Sequence, residues 1–392
     1  MSDNDDGKLL LVVDDSPSHI HMVRSILKDD YKIRIATSGA QALDLARSEP
    51  MPDLILLDVM LPDMNGYEVC QGLKANQETR DIPVMFLTLK MEVADEARGF
   101  EVGAVDYIHK PFSPPIVKAR VRTHLLLREA NRKLAQQLSD INNELEMARQ
   151  VQFAILPSAT PKIRGLNIAA RYIPMTSVAG DFYDFIVVDE AHLGVLIADV
   201  SGHGLPSALI ASMLQSALAA QSPHAADAAR VLRGLNQALV GKFQSHFVTA
   251  AYLFLDLQKG VGNYAGAGHP PLLVWRETPG SVSEVLENGL VLGLLDDSAY
   301  SSVPVSLEGG DRIVLYTDGI VEATNSSGEE LGLSRFKGML EEKRELSADA
   351  FADTMVDGVL RWSEKISGPS QSDDITLLAI DFKDASLAKY DS

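Results

Sequence analysis

Residues 54–58 read LILLD: four apolar residues in a row, then a carboxylate. So short and unbroken an apolar run is a strand buried on both faces, the kind found in parallel sheets covered by helices on either side. The pattern repeats outward from it. Residues 9–13 are apolar and run into Asp14 and Asp15; 33–36 is another short strand; 84–87 stops at Thr88; 105–108 stops at His109, Lys110 and Pro111. Helical spacing occupies 18–27 and 40–47. Strands alternating with helices predict an α/β doubly wound domain with a parallel five-stranded sheet over residues 8–122. In such sheets chemistry gathers beyond the carboxyl ends of the strands, where Asp14, Asp15, Asp58, Thr88 and Lys110 all stand.

One acid after a strand is ordinarily a solvated turn or a helix cap. Five polar groups at successive strand ends form a constellation. Three crowded carboxylates repel one another until a hard divalent cation such as Mg²⁺ joins them. Asp58 can then act as a nucleophile toward phosphorus, while Lys110 and the cation neutralise phosphoryl oxygens and Thr88 hydrogen-bonds one of them. The pieces VVDDS (12–16), LLDVMLPDMNG (56–66), FLT (86–88) and DYIHKP (106–111) resemble the receiver domain of two-component response regulators. That resemblance implies that Asp58 is the phosphoacceptor. It also implies that Asp14, Asp15 and the Met60 carbonyl hold Mg²⁺ with Asp58, that Thr88 and Tyr107 move on phosphorylation, and that the Lys110–Pro111 bond is cis. His19, His21 and His109 read as surface or local structural residues.

Residues 124–155 lack glycine and proline and contain few β-branched residues, a composition for helix. Leu127, Leu134, Leu138, Ile141, Leu145, Ala148 and Ile155 follow a three-four spacing, with Asn131 and Gln152 in the same stripe. This is a heptad seam in which the two amides are inner polar positions, and Glu144 and Arg149 could pair between chains. The expectation is a helical coiled-coil linker at 123–156 making a parallel homodimer through 124–155, roughly 48 Å long at 1.5 Å per residue. A single helix packed on one domain is the competing reading.

From 160 to 383 strands dominate, at about 166–172, 182–188, 193–199, 249–257, 261–265, 272–276, 312–316 and 375–381. Helical stretches fall at 206–221, 224–243 and 334–365. Grouped helices beside a strand majority predict an α+β domain, a β-sandwich flanked by helices. Asp181 starts a strand, Asp199 and Asp318 end strands, and Asp373 and Asp374 precede the last one. Each sits beside Gly or Ser, where backbone can come close to an ion or its water. Oxygen ligands without cysteine favour Mg²⁺ or Mn²⁺ over structural zinc. A pair of such ions can supply hydroxide and clamp phosphoryl oxygens.

VAGDFYD (178–184), IADVSGHGLPSAL (197–209), AGAGHPPL (265–272), YTDGIVEA (316–323) and QSDDITLL (371–378) resemble the bacterial sporulation and stress-response branch of the PPM/PP2C metal-dependent serine/threonine phosphatases. The resemblance implies that Asp199 bridges two Mn²⁺ or Mg²⁺ ions. The Val200 carbonyl would complete one of them, Asp318 and Asp373 would hold the other, and Asp181 would act through water. Asp374 matches a small polar position of the family and ranks lower. Gly266 stands where the family often has Asn. His203 and His269 are substrate-contacting or loop-ordering candidates, and Arg171 and His203 are candidates for the peptide phosphate.

The chain has 392 residues, 46% of them hydrophobic, enough for two cores. Its formal charge of −19 disfavours nucleic acid and anionic membrane as partners. One cysteine excludes a disulfide framework, and no apolar run reaches membrane-spanning length, so a cytoplasmic protein is expected. Together the two resemblances imply a response regulator whose phosphorylation, by a sensor histidine kinase or a phosphotransfer protein, controls a phosphoprotein phosphatase. They further imply a phosphorylated STAS-type anti-sigma antagonist as its substrate. The alternative is an adaptor that binds a sigma or anti-sigma factor without catalysis; relatives of that kind tend to lose the metal aspartates, all of which are present here.

Overall fold

The computed structural model describes residues 7–89, 99–176, 178–202, 204–243, 246–363 and 373–383. The chain divides into two compact units, Met1–Asp140 and Ile141–Ser392.

In the first unit β1 (Leu9–Val13), α1 (Pro17–Leu27), β2 (Lys32–Ala36), α2 (Gly39–Arg47), β3 (Leu54–Asp58), α3 (Gly66–Ala75), β4 (Val84–Thr88) and β5 (Asp106–His109) follow in order. The strands form one parallel sheet, ordered β2-β1-β3-β4-β5. Alternate residues of the apolar runs supply two cores. Leu11, Val13, Ile55, Leu57 and Phe86 face one side with residues of α2 and α3; Leu10, Val12, Leu54, Leu56 and Leu87 face the other with residues of α1. Register then places chemistry. Val13 pairs with Leu57 and Asp58 with Leu87, so Asp14, Asp58 and Thr88 come out at one edge. Gly66 closes that edge, because a Cβ there would stand 2.2 Å from the Asp58 carbonyl oxygen.

The helix α4 runs over Pro114–Ile155, 42 residues, rather than the expected 124–155. Proline in a first turn forfeits no intrahelical bond, so Pro114 and Pro115 do not delay it. Val117, Val121 and Leu125 are buried in the second core of the sheet, and Arg128 donates to the carbonyls of Pro52 and Asp53. Leu127, Leu134, Leu138 and Ile141 of the heptad stripe are more than half exposed. Gln152 departs from the coiled-coil expectation: it is 3% exposed and packed within its own chain. Arg149 pairs with Glu146 of the same helix at 2.8–2.9 Å.

The second unit holds two sheets. The first is β7 (Phe182–Asp189), β8 (His192–Val200), β9 (Val248–Asp256), β10 (Val261–Ala267), β13 (Asn288–Gly289) and β14 (Val303–Ser306). The second is β6 (Leu166–Ile173), β11 (Leu272–Arg276), β12 (Ser281–Val285), β15 (Arg312–Tyr316) and β16 (Ile375–Phe382). Val195, Ile197, Leu253, Val274, Leu315 and Leu378 fill the space between them. On the outer faces α5 (Leu205–Ala220) and α6 (Ala228–Leu239) cover one sheet, and α7 (Gly332–Glu342) and α8 (Ala348–Trp362) cover the other. This is the expected helix-flanked sandwich. The helical region expected at 334–365 holds two helices, the second starting afresh where Ser347 accepts from the Ala350 amide. The strands β12, β13 and β14 were not expected from the sequence. Among the described residues no helix is long and apolar enough to cross a membrane.

Candidate phosphoacceptor and phosphatase sites

At the first sheet edge Asp14 and Asp58 are buried, and Lys110 joins them. Its Nζ lies 2.8 Å from Asp14 Oδ2 and 2.8 Å from Asp58 Oδ2. The Lys110–Pro111 bond is cis. Asp58 Oδ1 accepts from the Met60 amide at 3.4 Å, and Thr88 is buried. Asp15 is exposed, lining with Asp58, Met60, Thr88 and Lys110 a cavity of about 380 Å³. Burial pushes the Asp58 carboxyl above its ordinary value; the Lys110 hydrogen bond opposes this, and the Asp14 charge adds to it. One ammonium therefore leaves the acids under-compensated. His19 was not expected here, yet its Nδ1 lies 3.1 Å from Asp14 Oδ1 and 3.0 Å from Lys110 Nζ. Asp14, His19 and Asp58 each offer a ligand atom within 4.8 Å of the others, a group able to hold a metal ion. Tyr107 is buried between Phe86 and Phe100, ring centroids 5.8 and 5.2 Å away. A Cβ on Gly99 would meet its hydroxyl at 1.8 Å, so that glycine makes room for the inward ring.

In the second unit register again converges acids from distant stretches. Phe182 pairs with Ala198, which sets Asp181 beside Asp199. Tyr316 pairs with Leu377, and the Thr317 amide donates to the Thr376 carbonyl, which sets Asp318 beside the turn 373–374. The two sheets meet at Asp181, whose Oδ2 accepts from Thr317 Oγ1 at 2.8 Å and from Thr376 Oγ1 at 2.5 Å. Two glycines permit the approach. A Cβ on Gly180 would stand 2.7 Å from the Val200 carbonyl oxygen, and one on Gly319 would stand 2.0 Å from that of Asp374. Asp374 is structural: its oxygens accept from the amides of Met175 at 2.7 Å and Gly180 at 2.6 Å.

The acids raise one another. Asp199 is pushed up to about 8, first by burial and then by the charges of Asp318, Asp373, Asp374 and Glu322. Burial and then Asp199 hold Asp181 well above its usual range; burial and then Asp373 raise Asp318. Among the described residues no Lys or Arg forms an ion pair with Asp181, Asp199 or Asp318. These carboxylates stand further apart than the receiver triad. A buried acid, Asp181, with the half-buried Asp199 and Asp318, without a protein cation and beside a carbonyl and glycines that keep backbone close, fits divalent ions.

A raised carboxyl pKa favours the folded state at low pH and loses that contribution as pH rises from the unfolded value through the folded one. For Asp199 the window runs from 3.8 to about 8. The metal-free chain is therefore expected to show a falling melting temperature from pH 5 to pH 8, and Mn²⁺ is expected to reverse that fall. Calorimetry across the range with EDTA or Mn²⁺ checks it; a flat metal-free profile contradicts it.

The end of α4 is built into this site. Gln152 Nε2 donates to the Ala179 carbonyl at 2.6 Å, and the Ala179 amide donates to Gln152 Oε1 at 3.0 Å. The helix therefore grips the loop two residues before Asp181. Leaving a buried backbone pair unsatisfied costs about 1–3 kcal/mol per group. Gln152→Ala is expected to lower turnover at this site by about tenfold while leaving the receiver unit folded, as steady-state kinetics and circular dichroism would show.

His269 is 3% exposed, with Nδ1 3.0 Å from Thr249 Oγ1, and burial pushes its imidazole down to about 3, so it is neutral. Asn288 accepts from the His269 amide and donates to its carbonyl at 2.8 Å. Its Oδ1 occupies the space a Cβ on Gly266 would need, 2.2 Å away. An amide from β13 thus serves this loop where residue 266 has no side chain. Arg171 does not face the site: it pairs with Asp353 at 2.6 Å and with Asp349 at 3.3 Å. His203 lies outside the described residues.

Residues 10–122 match the family model of the response regulator receiver domain, and 189–383 that of stage II sporulation protein E. The chain is 31% identical over 242 residues to the phosphoserine phosphatase RsbU of Bacillus subtilis, covering 62% of this chain and 70% of RsbU. It is 44% identical over 136 residues to a probable cyclic di-GMP phosphodiesterase of Vibrio cholerae, covering 35% of this chain and 31% of that protein; it thus spans about a third of that relative's length. Among solved structures, the SiaA PP2C domain of Pseudomonas aeruginosa matches with a TM-score of 0.56 at 26% identity, over 64% of this chain and 100% of that domain. A parallel five-stranded receiver sheet and a helix-flanked sandwich agree with these matches. The chain belongs to the sporulation protein E branch of the metal-dependent PP2C phosphatases, in a form that joins the phosphatase domain to a response regulator receiver domain.

Proposed function

We propose that phosphorylation of Asp58 controls hydrolysis of phosphoserine or phosphothreonine on a STAS-type anti-sigma antagonist. The observation that carries this reading is the strand register that sets Asp181 beside Asp199 and ties it to Thr317 and Thr376, the neighbours of Asp318 and of the turn at 373–374. In the receiver Asp14, Asp15, Asp58 and the Met60 carbonyl would hold Mg²⁺. Lys110 holds the Asp58 carboxylate in place and neutralises the incoming phosphoryl group. Thr88 and Tyr107 are the switch residues. The phosphoryl donor is a sensor histidine kinase or a phosphotransfer protein.

In the phosphatase domain Asp181, Asp199, the Val200 carbonyl, Asp318 and Asp373 would hold two Mn²⁺ or Mg²⁺ ions, which supply an activated water and neutralise phosphoryl oxygens. The chain's part is positioning. Thr317 and Thr376 fix the Asp181 carboxylate, Asp374 fixes the backbone at 175 and 180, and Gln152 fixes Ala179. The exposed stripe at Leu127, Leu134, Leu138 and Ile141 supports pairing of two chains along α4. The resemblance to RsbU, itself named a phosphoserine phosphatase, supports the substrate class.

The test is phosphate release from a phosphoserine-bearing STAS protein in Mn²⁺, with acetyl phosphate present or absent. Wild type is expected to respond to acetyl phosphate and Asp58→Asn is expected not to. Equal rates for wild type under both conditions would remove the control, and no release under either would remove the phosphatase reading.

A further inference from the structure

The receiver site contains a donor that the Mg²⁺ set does not use. His19 sits in the first turn of α1, and its Nδ1 is 3.1 Å from Asp14 Oδ1 and 3.2 Å from Asp14 Oδ2. One atom each from Asp14, His19 and Asp58 falls within 4.8 Å of the others. A cation already stands among these donors. Lys110 Nζ is 2.8 Å from each of Asp14 and Asp58 and 3.0 Å from His19 Nδ1. Lys110 can only donate to Nδ1 and the Asp14 carboxylate can only accept from it, so the two contacts call for opposite tautomers of His19, and a metal ion takes the one with Nδ1 unprotonated. The Nδ1 lone pair is then directed into the acidic pocket. The ring edge meets Phe112, centroids 6.1 Å apart, which limits its swing. Asp15 and Met60 line the same cavity of about 380 Å³ and leave room for water ligands.

Imidazole nitrogen is a poor partner for Mg²⁺, which takes oxygen in a strict octahedron. It is a good partner for Zn²⁺, Co²⁺ and Ni²⁺. We propose that Asp14, His19 and Asp58 form a second coordination mode of the receiver site, selective for a borderline divalent ion such as Zn²⁺, that displaces Lys110 and prevents phosphorylation of Asp58. The Mg²⁺ mode leaves Lys110 beside Asp58, whereas this mode removes the ammonium that neutralises the phosphoryl oxygens. The chain would then answer metal excess as well as its phosphoryl donor. This inference rests on the reading of Asp58 as phosphoacceptor.

The experiment uses the full chain, with wild type compared against His19→Ala and His19→Gln. Co²⁺ is titrated and visible absorption recorded, so that phosphatase-bound Co²⁺ cancels in the difference between wild type and variant. In parallel, phosphorylation by acetyl phosphate in Mg²⁺ is measured with and without Zn²⁺, and the ratio of the two is compared. Wild type is expected to give a His19-dependent Co²⁺ band that Zn²⁺ removes and excess Mg²⁺ does not, and a Zn²⁺-suppressed phosphorylation ratio. Even loss of a ligand's hydrogen-bond partner weakens metal sites by about ten- to a hundredfold, so each variant is expected to bind this ion at least about tenfold more weakly and to show a ratio near one. An unchanged Co²⁺ spectrum, or undiminished Zn²⁺ suppression in both variants, overturns the proposal. Absence of phosphorylation in wild type with Mg²⁺ alone would instead count against the phosphoacceptor reading, and the Co²⁺ difference band would still report on His19.

Discussion

Asp199→Asn is expected to lower Mn²⁺-dependent phosphate release by about a thousandfold and, at pH 8 without metal, to raise the melting temperature. The two changes have one cause. Asp199 sits where burial and the charges of Asp318, Asp373 and Asp374 make ionisation unfavourable, which holds its carboxyl near 8. Asparagine keeps the volume and removes the charge, so the metal-free fold gains what the repulsion had cost. The same charge attracts divalent ions, so its removal empties the site. Kinetics on a phosphoserine protein and calorimetry in EDTA measure both halves. A fall in activity with a fall in metal-free stability would mean that Asp199 is a structural residue.

The second large effect is expected at a residue with no functional group. Gly319→Ala is expected to lower turnover by at least about a hundredfold, the order of loss for a displacement of about 1 Å in a catalytic group. The added Cβ would stand 2.0 Å from the Asp374 carbonyl oxygen and 3.3 Å from Asp373 Cβ. Neither neighbour is the end of a flexible side chain. The loop bearing Asp318 must move away from the turn bearing Asp373, and these two must face each other. Overpacking of this kind costs about 1–3 kcal/mol, so the variant is expected to stay folded with Mn²⁺ affinity reduced. Isothermal titration with Mn²⁺ and circular dichroism separate that outcome from unfolding. Wild-type turnover in Gly319→Ala would show that the approach of the two loops is unimportant.

The receiver was legible because its central strands β1, β3 and β4 are buried on both faces. Every strand residue must then be apolar, and the first polar residue, such as Asp58 after LILL, marks the functional edge. The main strands of the sandwich were legible for a related reason: β8, β9 and β16 are almost entirely buried. The strand β12 reads SVSEV and has no fully buried residue, so its sequence carries no burial signal. His19 was missed because its tie to Asp14 spans the turn from β1 into α1, where neither strand nor helix periodicity brings a pair together. Gln152 was read as an inner polar residue of a seam between chains. A buried amide on a helical stripe looks the same whether its partner is a second helix or the backbone of Ala179. Arg171 looked available for phosphate, but its partners Asp349 and Asp353 lie on α8, far away in sequence. Asn288 shows the same limit, since a short strand supplies the amide that residue 266 lacks.

Anomalous diffraction at the manganese edge, from crystals of the full chain grown with Mn²⁺, tests the central claim most directly. Two peaks are expected in the second unit, within coordination distance of Asp181 or its water, Asp199, the Val200 carbonyl, Asp318 and Asp373. A folded sandwich whose carboxylates hold no manganese at saturating concentration would contradict it.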